Sequence, residues 1–123
     1  MDSLMSEIFT DISDNKPLPV PETGTLHVHS NNLPWQDSGT KGFWIKAFFD
    51  DPSSSQRTWL MKVDPGAFAP LHTHVGREQI YVLEGEFYDQ EKIYSAGEYL
   101  IRAPGTAHTA GSEDGALVLL MYS

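Results

Sequence analysis

His72, His74, Glu78 and His108 are the residues whose types and spacing best suit chemistry. The first three lie in one stretch, Gly66 to Gly85, GAFAPLHTHVGREQIYVLEG, closed by a glycine at each end. In an extended run, side chains two apart point to the same face, so the His72 and His74 imidazoles can converge on one point. Val75-Gly76-Arg77 is a candidate tight turn that would return the chain antiparallel, with Glu78 opening the neighbouring strand beside the histidines. His108 follows Pro104-Gly105 at the end of a later strand pattern, where a turn would aim it back as a fourth ligand. Neutral imidazoles with a carboxylate suit Zn, Fe, Ni, Cu or Mn. His27 and His29 also form an H-x-H pair, but they lack a nearby glutamate and a glycine frame. They are expected to be ordinary strand or edge residues, because spacing alone is weak evidence.

The elements that must position these residues read as strands from Thr25 onward. TLHVHS alternates, SNNLPWQDSGTKG is a loop, and GFWIKAFFD places Phe43, Ile45, Ala47 and Phe49 on one face. RTWLMKVD places Trp59, Met61 and Val63 on one face. In the strand that Glu78 opens, Ile80 and Val82 share its side, and Gln79 and Tyr81 face away; Tyr81 is expected in a sheet–sheet or dimer contact. KIYSA, EYLIRA and ALVLLMYS complete eight or nine short strands, a pattern of antiparallel sandwiches and barrels. The expected organisation is an all-β barrel over residues 25–123 behind an arm over 1–24. In that arm, residues 3–12 put Leu4, Met5, Ile8, Phe9 and Ile12 on one helical face, before the Pro-rich segment DNKPLPVPETG.

Other side chains have readings of their own. Trp59, Met61 and Phe68 are candidates for the mouth of a substrate pocket, or for the core. Arg102, on a strand leading to a ligand, either orients a substrate carbonyl or the glutamate, or lies on the outer face.

The run G-x5-H-x-H-x3-E-x6-G, from Gly66 through His72, His74 and Glu78 to Gly85, resembles the first cupin motif at every specified position. Gly97, Pro104, Gly105 and His108 resemble the second motif, with Pro104 adjacent to Gly105 and Ser112 where an asparagine usually closes it. With LPW at Leu33–Trp35, VDPG, YSAGEYLIRAPGTAH and GALVLL, residues 25–123 resemble the ChrR-like branch of cupins. That resemblance implies a double-stranded β-helix (a jelly-roll barrel), one divalent metal per chain held by His72, His74, Glu78 and His108, and a homodimer. It also implies two function classes. One is a mononuclear dioxygenase of the acetylacetone or dihydroxyacetophenone type, with Fe(II), Ni(II) or Mn(II), acting on a small enolisable ketone or diketone. The other is a Zn(II) module with a sensory, ligand-binding or structural role.

In either class Glu78 is a ligand or, if only the histidines bind, a base or orienter. Residues 1–24 are too few for the helical sigma-binding domain of ChrR-type proteins, which favours the enzyme.

Composition narrows the partners. Seventeen acidic against eight basic residues give a formal net charge of −9, which argues against nucleic acid and anionic membranes and leaves a small molecule as the expected partner. So few cations make a sugar-phosphate isomerase or epimerase the weaker alternative. No cysteine is present, so thiolate ligands and cysteine nucleophiles are excluded. The acidic start MDSLMSEIFTD does not read as a signal peptide, and the expected location is the cytoplasm.

Overall fold

Strands form where apolar and polar residues alternate, and in the last of them, Ala116–Tyr122, the buried positions fall at every second residue. The computed structural model describes residues 16–123, so the helix or arm expected over 3–12 lies outside the described residues. Nine strands follow in order: β1 (Gln36–Asp37), β2 (Phe43–Asp50), β3 (Arg57–Val63), β4 (Phe68–His72), β5 (Glu78–Tyr88), β6 (Ile93–Ser95), β7 (Tyr99–Arg102), β8 (His108–Gly111) and β9 (Ala116–Tyr122). Every pairing is antiparallel, in the order β1-β2-β3-β9-β5-β8-β4, with β6 and β7 also on β5. Among the described residues there is no α-helix, and no helix is long and apolar enough to cross a membrane.

The core lies inside this curl. Phe43, Ile45, Trp59, Met61, Val63, Ile80, Val82, Phe87, Val118 and Leu120 are almost fully buried and pack as one cluster. Burying each large apolar side chain contributes about 1.5–3 kcal/mol. The opposite face of the same strands is partly apolar, with Tyr81, Leu83, Tyr99 and Ile101 exposed. Tyr81 is 39% exposed among the described residues.

β5 holds the barrel together. Its first part pairs with β7 and β9, whereas Glu86–Tyr88 pair with β6, and Tyr88 also pairs with Gly111 of β8. The change of partner follows a register shift between Val82 and Glu84 and the left-handed Gly85, at φ 74°. Such a bulge bends a strand, which here lets one strand serve both sheets.

Two expectations fail. TLHVHS forms no strand, because residues 25–29 are exposed and, among the described residues, no strand pairs with them. The chain instead runs into a 3₁₀ turn at Ser30–Asn32, where the His29 side chain accepts the Asn31 N–H. The strand in this region is the short β1, inside the stretch read as a loop. The alternation of β2 also slips between Ala47 and Phe49, leaving Phe49 only partly buried.

Gly66 and Gly85 both have positive φ, but a side chain at Gly66 meets nothing within 4 Å, whereas one at Gly85 runs into the Gly115 carbonyl. Gly66→Ala should therefore cost only the left-handed penalty, about 1–2 kcal/mol. Gly85→Ala should cost clearly more in urea unfolding; equal losses would refute this account of the bend.

Candidate metal centre

Two facing strands and a loop bring the expected ligands together. His72 closes β4 and His108 opens β8, and the two are register partners, with ring centroids 4.3 Å apart. His74 lies beyond the end of β4, in the loop. The Gly105 N–H donates to its backbone carbonyl at 2.9 Å, so the Pro104-Gly105 turn fixes the loop. One nitrogen from each of the three histidines lies within 4.8 Å of the others, and all three residues are buried.

Glu78 completes the cluster from the other sheet. Its Oε2 lies 3.2 Å from His74 Nε2, and its Oε1 lies 3.3 Å from His108 Nε2. The expected hairpin between His74 and Glu78 does not exist. β4 pairs with β8, while Glu78 stands in register with Arg102 of β7 and Tyr122 of β9. The reason is the chain's end: Arg77 and Ser123 exchange both backbone hydrogen bonds, at 2.7 and 2.9 Å, extending the β5–β9 ladder. Residues 73–77 thus cross from one sheet to the other. Gly76 is needed there, because a Cβ would collide with the Ser123 carbonyl.

The imidazoles are oriented from behind. His72 Nδ1 lies 2.7 Å from the Pro70 carbonyl, and His108 Nδ1 lies 2.8 Å from the Thr109 carbonyl. A carbonyl only accepts, so each Nδ1 carries the proton and each Nε2 is left as the ligand atom. Burial lowers the His72 pKa and pushes that of His74 down to about 4, despite the nearby Glu78 carboxylate. Both rings are therefore neutral at pH 7, the form a metal requires.

Glu78 stays ionised although it is buried. Burial works to raise its pKa, but its close contacts with His108, His74 and the Arg102 guanidinium outweigh that and lower it to about 2. Arg102 Nε donates to Glu78 Oε1 at 3.0 Å, and Arg102 Nη1 donates to Asp89 Oδ2 at 2.9 Å. Asp89 also accepts from the Tyr94 hydroxyl and from the Glu91 and Lys92 amides. Burial opposes ionisation of Asp89 as well, and these donors still hold its pKa below the ordinary value.

The structure sorts the remaining expectations. Arg102 faces inward onto Glu78, which removes the outer-face alternative. Trp59 and Met61 belong to the core, and Phe68 is 52% exposed. Trp59 reaches the site indirectly: it packs edge-on against Tyr122, whose ring centroid lies 4.9 Å from that of His74. His27 is exposed, and His29 caps the 3₁₀ turn away from the cluster.

Asp89 and Tyr122 are site neighbours that sequence reasoning missed. Asp89 sits in the turn after β5, where an aspartate reads only as turn chemistry. No local pattern marks Tyr122, which is placed by its register with Glu78.

The sequence profile of the ChrR cupin-like domain matches residues 23–123. The chain belongs to this cupin family. No curated protein matches it. A cupin-like protein of unknown function from Ralstonia eutropha JMP134 is 26% identical, with a TM-score of 0.74 over 85% of this chain and 70% of that one. The anti-sigma factor ChrR, solved with SigE of Rhodobacter sphaeroides, is 23% identical with a TM-score of 0.65 over 77% of this chain and 51% of that one. A putative acetylacetone dioxygenase from Methylibium petroleiphilum PM1 is 14% identical, with a TM-score of 0.72 over 85% of this chain and 81% of that one. The latter two likenesses concern the fold.

The cupin centre of this chain can hold a metal. Three clustered imidazoles, His72 and His108 with Nδ1 against a carbonyl and His74 kept neutral by burial, beside an ionised carboxylate, form a donor set suited to a divalent first-row ion. His72→Ala, His74→Ala or His108→Ala should abolish stoichiometric metal in elemental analysis, while His27→Ala should leave it intact. Full retention in any of the first three removes that residue from the site.

Proposed function

We propose that this cupin is a mononuclear metal-dependent oxygenase acting on a small enolisable ketone or diketone. One observation carries the reading: the compact donor group is the three histidines, whereas Glu78 is held from behind by Arg102. Centres with three protein ligands keep positions open for substrate, and centres closed by four are structural. The fold likeness to a putative acetylacetone dioxygenase supports the substrate class.

A bound iron, nickel or manganese ion would supply Lewis acidity and an electron path between substrate and O₂. The chain's own groups do the rest. His72, His74 and His108 would hold the ion. Glu78, ionised and within 3.2 Å of the His74 nitrogen, is placed to take the α-proton of a ketone lying against the cluster. Arg102 keeps that carboxylate oriented, and Asp89 keeps Arg102 oriented. The buried Tyr122 ring packs beside His74 as part of the wall.

A zinc-binding sensory or structural role is the second reading, supported by the match to the ChrR cupin-like domain. It requires Glu78 on the ion as a fourth ligand.

Protein purified without added metal, then assayed for O₂ uptake with acetylacetone, separates the two. Uptake with stoichiometric iron, nickel or manganese is the expected result. Glu78→Gln should keep the metal and lose turnover by about 10²-fold or more, the usual contribution of a positioned base. Stoichiometric zinc with four protein ligands in X-ray absorption, and no uptake, would sink the oxygenase.

A further inference from the structure

The outward side of the sheet carries side chains in rows, because residues directly opposite one another in an antiparallel pair share a face. Lys46, Leu60, Leu119, Tyr81 and Tyr99 form one outward row. Thr58, Met121, Gln79 and Ile101 form the next. Neither row holds a carboxylate, in a chain with seventeen acidic residues. Lys46 is buried, and its ammonium donates to the Ser30 carbonyl at 2.7 Å. The row on the other side, Trp44, Lys62, Leu117 and Glu84, brings back charges of both signs. Tyr81, Tyr99 and Ile101 are exposed. An apolar area with a charged margin has the anatomy of a protein interface.

A second apolar feature stands at the near edge of the same face. The Leu18 N–H donates to the Ala47 carbonyl at 3.3 Å, and Lys46 Nζ donates to the Ser30 carbonyl. Residues 18–30 are therefore a loop closed at its base on two adjacent residues of β2. Residues 19–29 are exposed, and among the described residues no backbone group of 19–28 is hydrogen-bonded. Val20, Leu26 and Val28 point their apolar surface at water. The groove between this loop and Phe48 and Phe49 measures about 890 Å³, and no Asp, Glu, Lys or Arg lines it. The loop leaves Tyr81, on the third strand from β2 and about 14 Å away, uncovered.

The loop lacks a surface to lie on, and the face lacks a cover. Leu26 and Val28 are two apart in the alternating run TLHVHS, so they share one side when it is extended. Charge selects the occupant. Two copies of a chain with net charge −9 repel each other, so they approach closely only where carboxylates are missing. The two outward rows and the groove are such places, and they adjoin on one side of the molecule.

We propose that two copies of this chain pair about a twofold axis with their outer faces turned together. The 18–30 loop of each copy lies on the outer face of the other, with Leu26 and Val28 against the row of Tyr81 and Tyr99. In such an isologous contact, every loop-on-face contact is made twice. The pairing does not depend on the chemistry of the metal centre.

Sedimentation of the full chain over a range of concentrations tests it, and a dimer is expected. Val28→Glu and Tyr81→Lys should each weaken the dimer at least tenfold and leave metal stoichiometry unchanged. An equimolar mixture of the two variants should dimerise again, because the introduced charges then meet with opposite signs at one of the two contacts. A monomer at every concentration means that residues 1–15 or a different protein covers the loop and the face, and overturns the proposal. So does a dimer that neither variant weakens, whose contact lies elsewhere. A mixture that fails to recover means that loop and face do not meet, and overturns it too.

Should either variant fail to fold, dilution of the unmodified chain decides. Amides of residues 25–29 should exchange slowly in concentrated protein and fast when dilute, and the ring signals of Tyr81 and Tyr99 should shift over the same range. A response from only one of the two groups, or from neither, overturns the proposal.

Discussion

A buried carboxylate governs this structure. Glu78 is 3% exposed, and ionised groups enter a protein interior only when other charges and hydrogen bonds replace the lost water. The replacement is a chain of contacts: His74 and His108 on one side, then Arg102, Asp89 and Tyr94 on the other. Each member depends on the next. Removing Asp89 would leave Arg102 with one buried anion instead of two, and removing Arg102 would leave two carboxylates facing each other's fields. Networks of this kind stabilise only when complete, so the pairing of β5 with β7, which sets Glu78 against Arg102, is fixed by electrostatics as well as by the backbone ladder.

The backbone devices around the site serve the same end. Ser123 locks onto Arg77 and holds Glu78 level with Tyr122. Gly105 locks onto the His74 carbonyl and holds the loop that carries the third imidazole. At the far end, the buried Ser112 hydroxyl donates to the Glu86 carbonyl and accepts the Gly115 N–H, while its own carbonyl accepts the Gly66 N–H. Ser112 therefore ties together the two glycine-framed stretches, so the serine still serves at the position where an asparagine is usual. The clustered imidazoles are thus presented by two strand ends and by one loop that the Gly105 hydrogen bond pins.

How far the sequence spoke for this arrangement depends on the range of each interaction. The meeting of His72, His74, Glu78 and His108 and the all-β fold were legible, because these residues and the glycines stand at fixed spacings, and spacing is what strands convert into direction. The hairpin was misread because a Val-Gly-Arg turn looks the same whether the chain returns to its own sheet or crosses to the other. Only the pairing of Arg77 with the distant Ser123 decides that. TLHVHS alternates like a strand, but alternation cannot supply a neighbour. Arg102 was left open between two faces, and its direction follows from Glu78 and Asp89, both remote in sequence. Asp89 and Tyr122 were invisible because nothing near them marks their role.

The charge of the whole chain and the charges at its centre act over different ranges. A formal net charge of −9 repels anions at a distance, and a dianion twice as strongly as a monoanion. At the cluster, the cation facing Glu78 is Arg102, and two of its three nitrogens are already bound. The guanidinium is thus spent on holding two carboxylates in place, and the carboxylate it holds stands ionised beside the three clustered imidazoles.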